Sequence, residues 1–204
     1  MSESLNAATA AAGPSATPLI RMPSLKSGHR FSWKEHRVTE SALSHLRICR
    51  VDYNLAVHAS ALLQLLDAYA RDAAGGGQPL SDFARSHLIQ ELAARPQAFS
   101  VLAFDDAQPV GLINCFEGFS TFASRPLINV HDVVVLASHR GRRVGEQMLA
   151  LVEQLARERG ACKLTLEVLQ GNRSACRLYE RVGFAGYQLD PAMGQAQFLQ
   201  KWLV

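Results

Sequence analysis

Val133-Val134-Val135-Leu136-Ala137-Ser138-His139-Arg140-Gly141-Arg142-Arg143-Val144-Gly145 decides how the rest of this 204-residue chain is read. A β-branched apolar run enters a basic turn with two glycines, and Glu146-Gln147-Met148-Leu149 follows at once as the opening of a helix. Strand, turn and helix N-terminus in this order aim backbone N–H groups at one point, a place for a pyrophosphate or a similar anion. Further on, Gly171-Asn172-Arg173-Ser174-Ala175-Cys176-Arg177-Leu178-Tyr179-Glu180-Arg181-Val182-Gly183-Phe184 reads as a second helix that carries a tyrosine and leaves through Gly-Phe.

Working outward, Leu46 to Val51 alternates apolar and basic residues, as a half-buried strand does. From Leu55 to Ala73, Leu62, Leu65, Leu66 and Tyr69 recur at helical spacing, and Gly75-Gly76-Gly77 ends the run. Ser81 is placed to cap a second helix that ends before Pro96. Phe99 to Phe104 and Val110 to Phe119 read as a hairpin around a turn at residues 105–109. A long strand follows from Leu127 to Leu136, then a helix over 145–159, a strand from Lys163 to Leu169, a helix over 172–182, and two short strands near 184–190 and 196–203. The hairpins make most of this sheet antiparallel, and the β-α-β step from 127 to 169 makes two neighbouring strands parallel. The fold class expected is therefore mixed α/β.

The composition suits one globular domain with a real core, since 48% of residues are hydrophobic and 19% charged. Residues 1–42 read as a disordered or extended tail, rich in Ala, Ser, Thr and Pro, and residues 43–204 as the domain. No apolar run reaches the ~18 residues that span a membrane, and the first residues lack the basic start of a signal peptide, so a cytoplasmic protein is expected. A net charge of +3 without a long Lys/Arg run gives no reason to expect nucleic acid as a partner. Cys49, Cys115, Cys162 and Cys176 show no CxxC spacing, so neither structural zinc nor any other metal is expected. Edge strands at the C-terminus could pair across a homodimer.

Arg140-Gly141-Arg142-Arg143-Val144-Gly145, together with Asn172, Tyr179-Glu180 and Gly183-Phe184, resembles the GCN5-related N-acetyltransferase superfamily, whose acyl-CoA turn is written [QR]-x-x-G-x-[GA]. The resemblance runs from about Leu46 to the C-terminus. It implies an acetyl-CoA-dependent N-acetyltransferase, with acetyl-CoA as cosubstrate and a small-molecule amine as acceptor. Acetylation of a protein lysine or N-terminus, or acyl-CoA sensing with little turnover, are the alternatives. By the same resemblance the pyrophosphate sits on the turn, Arg140 to Gly145. The pantetheine arm pairs with the backbone of Val133, Val134 and Val135 within a splayed parallel strand pair, and Asn172 binds the arm. Arg143 stands where the family has glycine, and is expected to keep ordinary dihedrals.

Acetyl transfer to an amine needs a held thioester, a neutral nitrogen, and a proton donor for the departing sulfur. The resemblance gives the last role to Tyr179. His131 is the base candidate, since strand alternation puts it on one face with Val133 and Val135 and histidine as a residue type is suited to accepting an amine proton. Asp132 then points to the opposite face, as a structural acceptor. Glu117, among Phe116, Phe119 and Phe122, is placed to hold a cationic amine.

Overall fold

The computed structural model describes residues 45–186, 192 and 197–203. The expected tail over 1–42 lies outside the described residues. Among the described residues nine main elements follow in order: β1 (Leu46–Arg50), α1 (Ala56–Arg71), α2 (Asp82–Ala93), β2 (Ala98–Asp105), β3 (Gln108–Ser120), β4 (Arg125–Val135), α3 (Val144–Glu158), β5 (Leu164–Leu166) and α4 (Arg173–Arg181). Ser81 caps α2 as expected, its side chain accepting from the Ala84 N–H. The strand expected over 163–169 is shorter, pairing in strand register with β4 at Leu164–Leu166. Of the two last strands expected, residues 187–190 and 196 lie outside the described set, and residues 184–186 and 197–203 form no strand. Among the described residues no helix is long and apolar enough to cross a membrane.

The sheet runs β1-β2-β3-β4-β5, antiparallel throughout except for β4 against β5. Period-2 alternation gives each central strand two faces to bury. Phe99, Val101, Ile113, Ile128 and Val130 turn to one face and meet Met148, Val152 and Ala156 of α3. Leu102, Phe104, Leu112 and Val134 turn to the other and meet Leu62 and Leu65 of α1. α3 lies so close that a Cβ on Gly111 of β3 would sit 2.8 Å from the Met148 Cε. Asp67 of α1 ties α1 to α2 by accepting from Arg85 and the Leu80 N–H, besides its own-helix partner Arg71.

Two features of β4 shape the site. Its pairing with β5 covers only Ile128 to Val130, so Val133–Val135 run on with no strand beside them on that edge. Its register against β3 jumps, with Val130 opposite Cys115 and Asp132 opposite Asn114, which leaves His131 as the extra residue of a bulge.

Candidate active site

The open edge of β4 is one wall of a cavity of about 950 Å³, which also takes in the turn after β4, the residues after β5 and one side of α4. The turn begins as a single 3-10 turn at Ala137–His139 and then changes direction at Gly141, φ +78°. Arg143 precedes α3 at φ 59°, ψ 20°, in the left-handed region. This corrects the expectation of ordinary dihedrals. The turn keeps the conformation that glycine adopts without cost, and an arginine bears the strain instead, of order ~1 kcal/mol. Gly145 is needed for a different reason, since a Cβ there would lie 2.9 Å from the Leu178 Cδ2 of α4.

The arginines of the turn brace it. Arg140 donates from Nε to the Val135 carbonyl (3.0 Å) and from Nη2 to Asp72 at the end of α1 (3.2 Å). Arg142 donates to Asp105 at 3.0 Å, and the same carboxylate oxygen meets His139 Nε2 at 3.1 Å. His139 is buried, so this contact pins the underside of the turn to the end of β2. Burial works to raise the Asp105 carboxyl, but His139 and Arg142 win and hold it below the usual range. Asp72, Asp105 and His139 were not visible as site residues in the sequence; Asp105 shows there only as a hairpin-turn residue. Arg143 is mostly exposed and lies 4.0 Å from Glu146, which Arg181 of α4 also holds at 2.8 Å.

With the side chains so engaged, the backbone is what the turn offers. Among the described residues the N–H groups of Gly141, Arg142 and Arg143 have no hydrogen-bond partner. They sit at the N-terminus of a 15-residue helix, whose dipole favours negative charge. The beginning of α3, the guanidinium groups of Arg140, Arg143, Arg177 and Arg181 around the cavity, and the unpaired edge of Val133–Val135 suit a polyanion joined to an amide-bearing arm. Acetyl-CoA is such a molecule, and these residues fit it.

Tyr179 reaches the same cavity from α4 and is 8% exposed. Phe184 packs edge-on against its ring at 5.8 Å. Its hydroxyl takes no hydrogen-bond partner among the described residues, and is not sealed from solvent. Burial pushes the phenol up to about 12, so at neutral pH it is a hydrogen-bond donor. Asn172 also lines the cavity; its side-chain oxygen caps α4 by accepting from the Ala175 N–H at 3.2 Å, leaving its amide NH₂ as the free end. Tyr69 of α1 completes the wall near Val133 and Val134, a position that sequence spacing marked only as core.

His131 and Glu117 do not line this cavity. The bulge reverses the alternation on which the His131 expectation rests. The imidazole stands edge-on to Phe116 at 5.3 Å, and Phe116 packs with the α1 face, away from Val133 and Val135. Glu117 is ion-paired with Arg159 at 2.9 Å, and Arg159 also lies over the Phe99 ring. The aromatic cage expected around Glu117 does not form either, since Phe119 and Phe122 point outward and are exposed. Asp132 faces opposite to Val133 as expected, and accepts from Asn114 Nδ2 at 3.0 Å. Among the described residues no three His, Cys, Asp or Glu side chains come together as a metal-holding group.

Comparison with known proteins agrees with this geometry. The Acetyltransferase (GNAT) family matches over residues 60–184, more than half of the chain. A streptothricin acetyltransferase of Streptomyces lavendulae is 38% identical over 39% of this chain and 42% of its own length. An aminoalkylphosphonate N-acetyltransferase of Salmonella typhimurium is 32% identical over 44% of this chain and 58% of its own. The matches thus span under two thirds of these relatives. Among solved structures, an aminoglycoside N-acetyltransferase in complex with CoA superposes with a TM-score of 0.62 at 18% identity, covering 78% of this chain and 95% of that one, which is likeness of fold. The chain belongs to the acetyltransferase (GNAT) family.

Proposed function

We propose that this member of the family transfers an acetyl group from acetyl-CoA to an amine of a small molecule, by direct attack of the nitrogen on the thioester. The observation that carries the reading is a convergence. Gly141 and Arg143 with their free N–H groups, the unpaired edge of Val133–Val135 and Tyr179 all line one cavity. Acetyl-CoA supplies the activated acyl group when bound. Gly141 to Gly145 hold its pyrophosphate through backbone N–H groups, with Arg140 and Arg142 keeping the turn in shape. Val133 to Val135 hold the arm as an added strand would, and the Asn172 amide meets it from α4.

Tyr179 serves the departing sulfur. A thiol titrates near ~8.5, well below the Tyr179 phenol at about 12. The phenol therefore keeps its proton and acts as a hydrogen-bond donor that strengthens as charge builds on sulfur, so that the sulfur leaves as a thiolate held by that bond while the attacking nitrogen sheds its extra proton to water. A small-molecule acceptor is favoured by the relatives, each named for one. Two measurements test the reading together: calorimetry with CoA, and a thiol-release screen of acetyl-CoA against amines and peptides. Binding of CoA with thiol release from small amines is expected. CoA binding with no release from any acceptor, or release from peptides alone, would overturn it.

A further inference from the structure

We propose that Cys49 is a redox-modification site, where a small hydroperoxide converts the thiol to a sulfenic acid whose oxygen is held by His58 and Arg47. The site lies outside the cavity described above, and the inference is independent of acetyl transfer.

The site is built where β1 passes into α1. β1 is the edge strand of the sheet, and Cys49 packs half-buried on its α1 face. Arg47, two residues before, shares that face. Its guanidinium lies over the Phe104 ring at 4.6 Å and donates from Nη1 to Cys49 Sγ at 3.3 Å. After the strand the chain turns sharply at residues 52–55. The Leu55 N–H donates to the Asp52 carbonyl and the Asn54 N–H to the Asp52 carboxylate. That turn aims the Asp52 N–H at His58 Nδ1 in the first turn of α1, 3.0 Å away.

The tautomer of His58 follows from this bond. A backbone N–H only donates, so Nδ1 accepts and the ring proton sits on Nε2. Nε2 faces Cys49 Sγ at 3.9 Å. Two N–H donors therefore converge on one sulfur, and among the described residues no group accepts from the thiol. His58 is 8% exposed. For a donor so buried, sulfur at 3.9 Å is a long and weak acceptor. An oxygen bonded to Sγ is the nearer and stronger acceptor that this buried N–H lacks.

The other three cysteines are set differently. Cys115 is buried, and burial pushes its thiol up to about 12. Cys176 spends its thiol proton on the Leu169 carbonyl, at 3.8 Å. Among the described residues no donor meets the Cys162 sulfur. Only at Cys49 does a partly accessible sulfur meet N–H donors and nothing else, the setting in which thiols oxidise selectively.

The step is a two-electron exchange. The sulfur lone pair attacks the hydroxyl oxygen of the hydroperoxide. The S–O bond forms as the O–O bond breaks, and the other oxygen leaves with the thiol proton as water or an alcohol. Sulfur is oxidised and the peroxide reduced. A thiol reductant reverses the change.

The test treats the full chain with hydrogen peroxide at neutral pH, traps sulfenic acid with dimedone and maps the label by mass spectrometry. Cys49 is expected to be labelled about tenfold faster than Cys162 or Cys176, and dithiothreitol added before the trap should abolish the label. Arg47→Met should slow labelling of Cys49 about 3- to 10-fold, and Arg47→Lys, which keeps a charged donor, should restore most of the rate. His58→Leu should slow it similarly, and His58→Gln, which keeps one donor and one acceptor, should slow it less. Arg47 is exposed, so its variants keep the fold and decide the matter if His58→Leu does not fold. Equal labelling of Cys162 or Cys176, a rate unchanged by Arg47→Met, or oxidation that dithiothreitol does not reverse would overturn the inference. None of these measurements involves acetyl-CoA, so the two proposals fail separately.

Discussion

Under α3 the sheet presents Val101, Ile113, Ile128 and Val130 to Met148 and Val152, a face whose buried residues, among those described, carry one side-chain oxygen, the Tyr179 hydroxyl. Under α1 the same strands, one residue out of phase, present Leu102 and Leu112 with Ser100 and Asn114 set between them. The first face is held by burial alone, at roughly 25 cal/mol per Å² and with no directional demand. The second accepts a buried polar chain, which is tolerated only because every member is satisfied. The first face therefore seats α3, whose N-terminus makes the anion turn. The second ends on the Asp132 carboxylate, which accepts from Asn114.

The largest expected effect tests the oxygen of the apolar face. Tyr179→Phe should lower kcat by roughly 10²–10³-fold, as loss of a hydrogen-bond donor to developing charge does, while CoA affinity measured by calorimetry is kept. The ring and its contact with Phe184 remain, so the melting temperature should hold. Unchanged turnover would leave Tyr179 a packing residue, and would leave this face without a chemical role.

The faces were unequally legible in the sequence. Helical spacing at Leu62, Leu65 and Leu66, the strand–turn–helix run around Gly145 and the hairpin about 105–109 are local patterns, and each gave an element in nearly the right place. The bulge at His131 is not local, because it is set by how Val130 and Asp132 pair with Cys115 and Asn114 on another strand. One residue of slip there moved the histidine to the α1 face. The arginine pairs are equally remote, Glu117 with Arg159 and Asp105 with Arg142. Sequence reading offered Glu117 to a substrate because its partner lies 42 residues away. Ser100 and Asn114 carry no motif, and only the sheet register brings them into line.

Alkaline pH separates the faces next. In the folded protein burial holds the Tyr179 phenol to about 12, against 10.0 ordinarily, and the Cys115 thiol to about 12, against 9.0. The unfolded chain ionises first at both groups, so stability present below their ordinary values is lost as pH rises toward 12. Tyr179 alone contributes about 2–3 kcal/mol to that loss. On the α1 face burial also raises Tyr53, but the Ser100 hydrogen bond offsets part of the rise. The melting temperature should fall steeply above pH 10, and a Tyr179→Phe, Cys115→Ala variant should flatten the fall. At the acid end Asp67 is held at about 2, chiefly by Arg71, and Asp105 below the usual range by His139 and Arg142. Their contribution is present above ordinary carboxylate values and goes as pH drops toward 2. An alkaline decline that persists unchanged in the double variant would mean that burial on the α3 face does not hold these protons.

The smallest effect concerns the seam between the apolar face and the anion site. Arg143 sits at φ 59° immediately before α3, exposed, its guanidinium 4.0 Å from Glu146. Two substitutions divide its contributions. Arg143→Ala removes the charge and keeps a Cβ in the left-handed region, so the strain stays. Arg143→Gly removes both. The glycine variant gains the strain relief, about 1–2 kcal/mol, and gives back part of it because glycine leaves the unfolded chain more freedom. A net gain of roughly 0.5–1 kcal/mol over the alanine variant would appear as a melting temperature higher by about 1–4 °C for a chain of this size. CoA affinity in the two variants should fall by the same small factor relative to the unsubstituted protein, with a weaker dependence on salt, since both lose one positive charge near the cavity mouth. Equal melting temperatures for glycine and alanine would mean that the turn relaxes out of the left-handed region. A fall in CoA affinity for alanine alone would mean that the strain itself shapes the anion site.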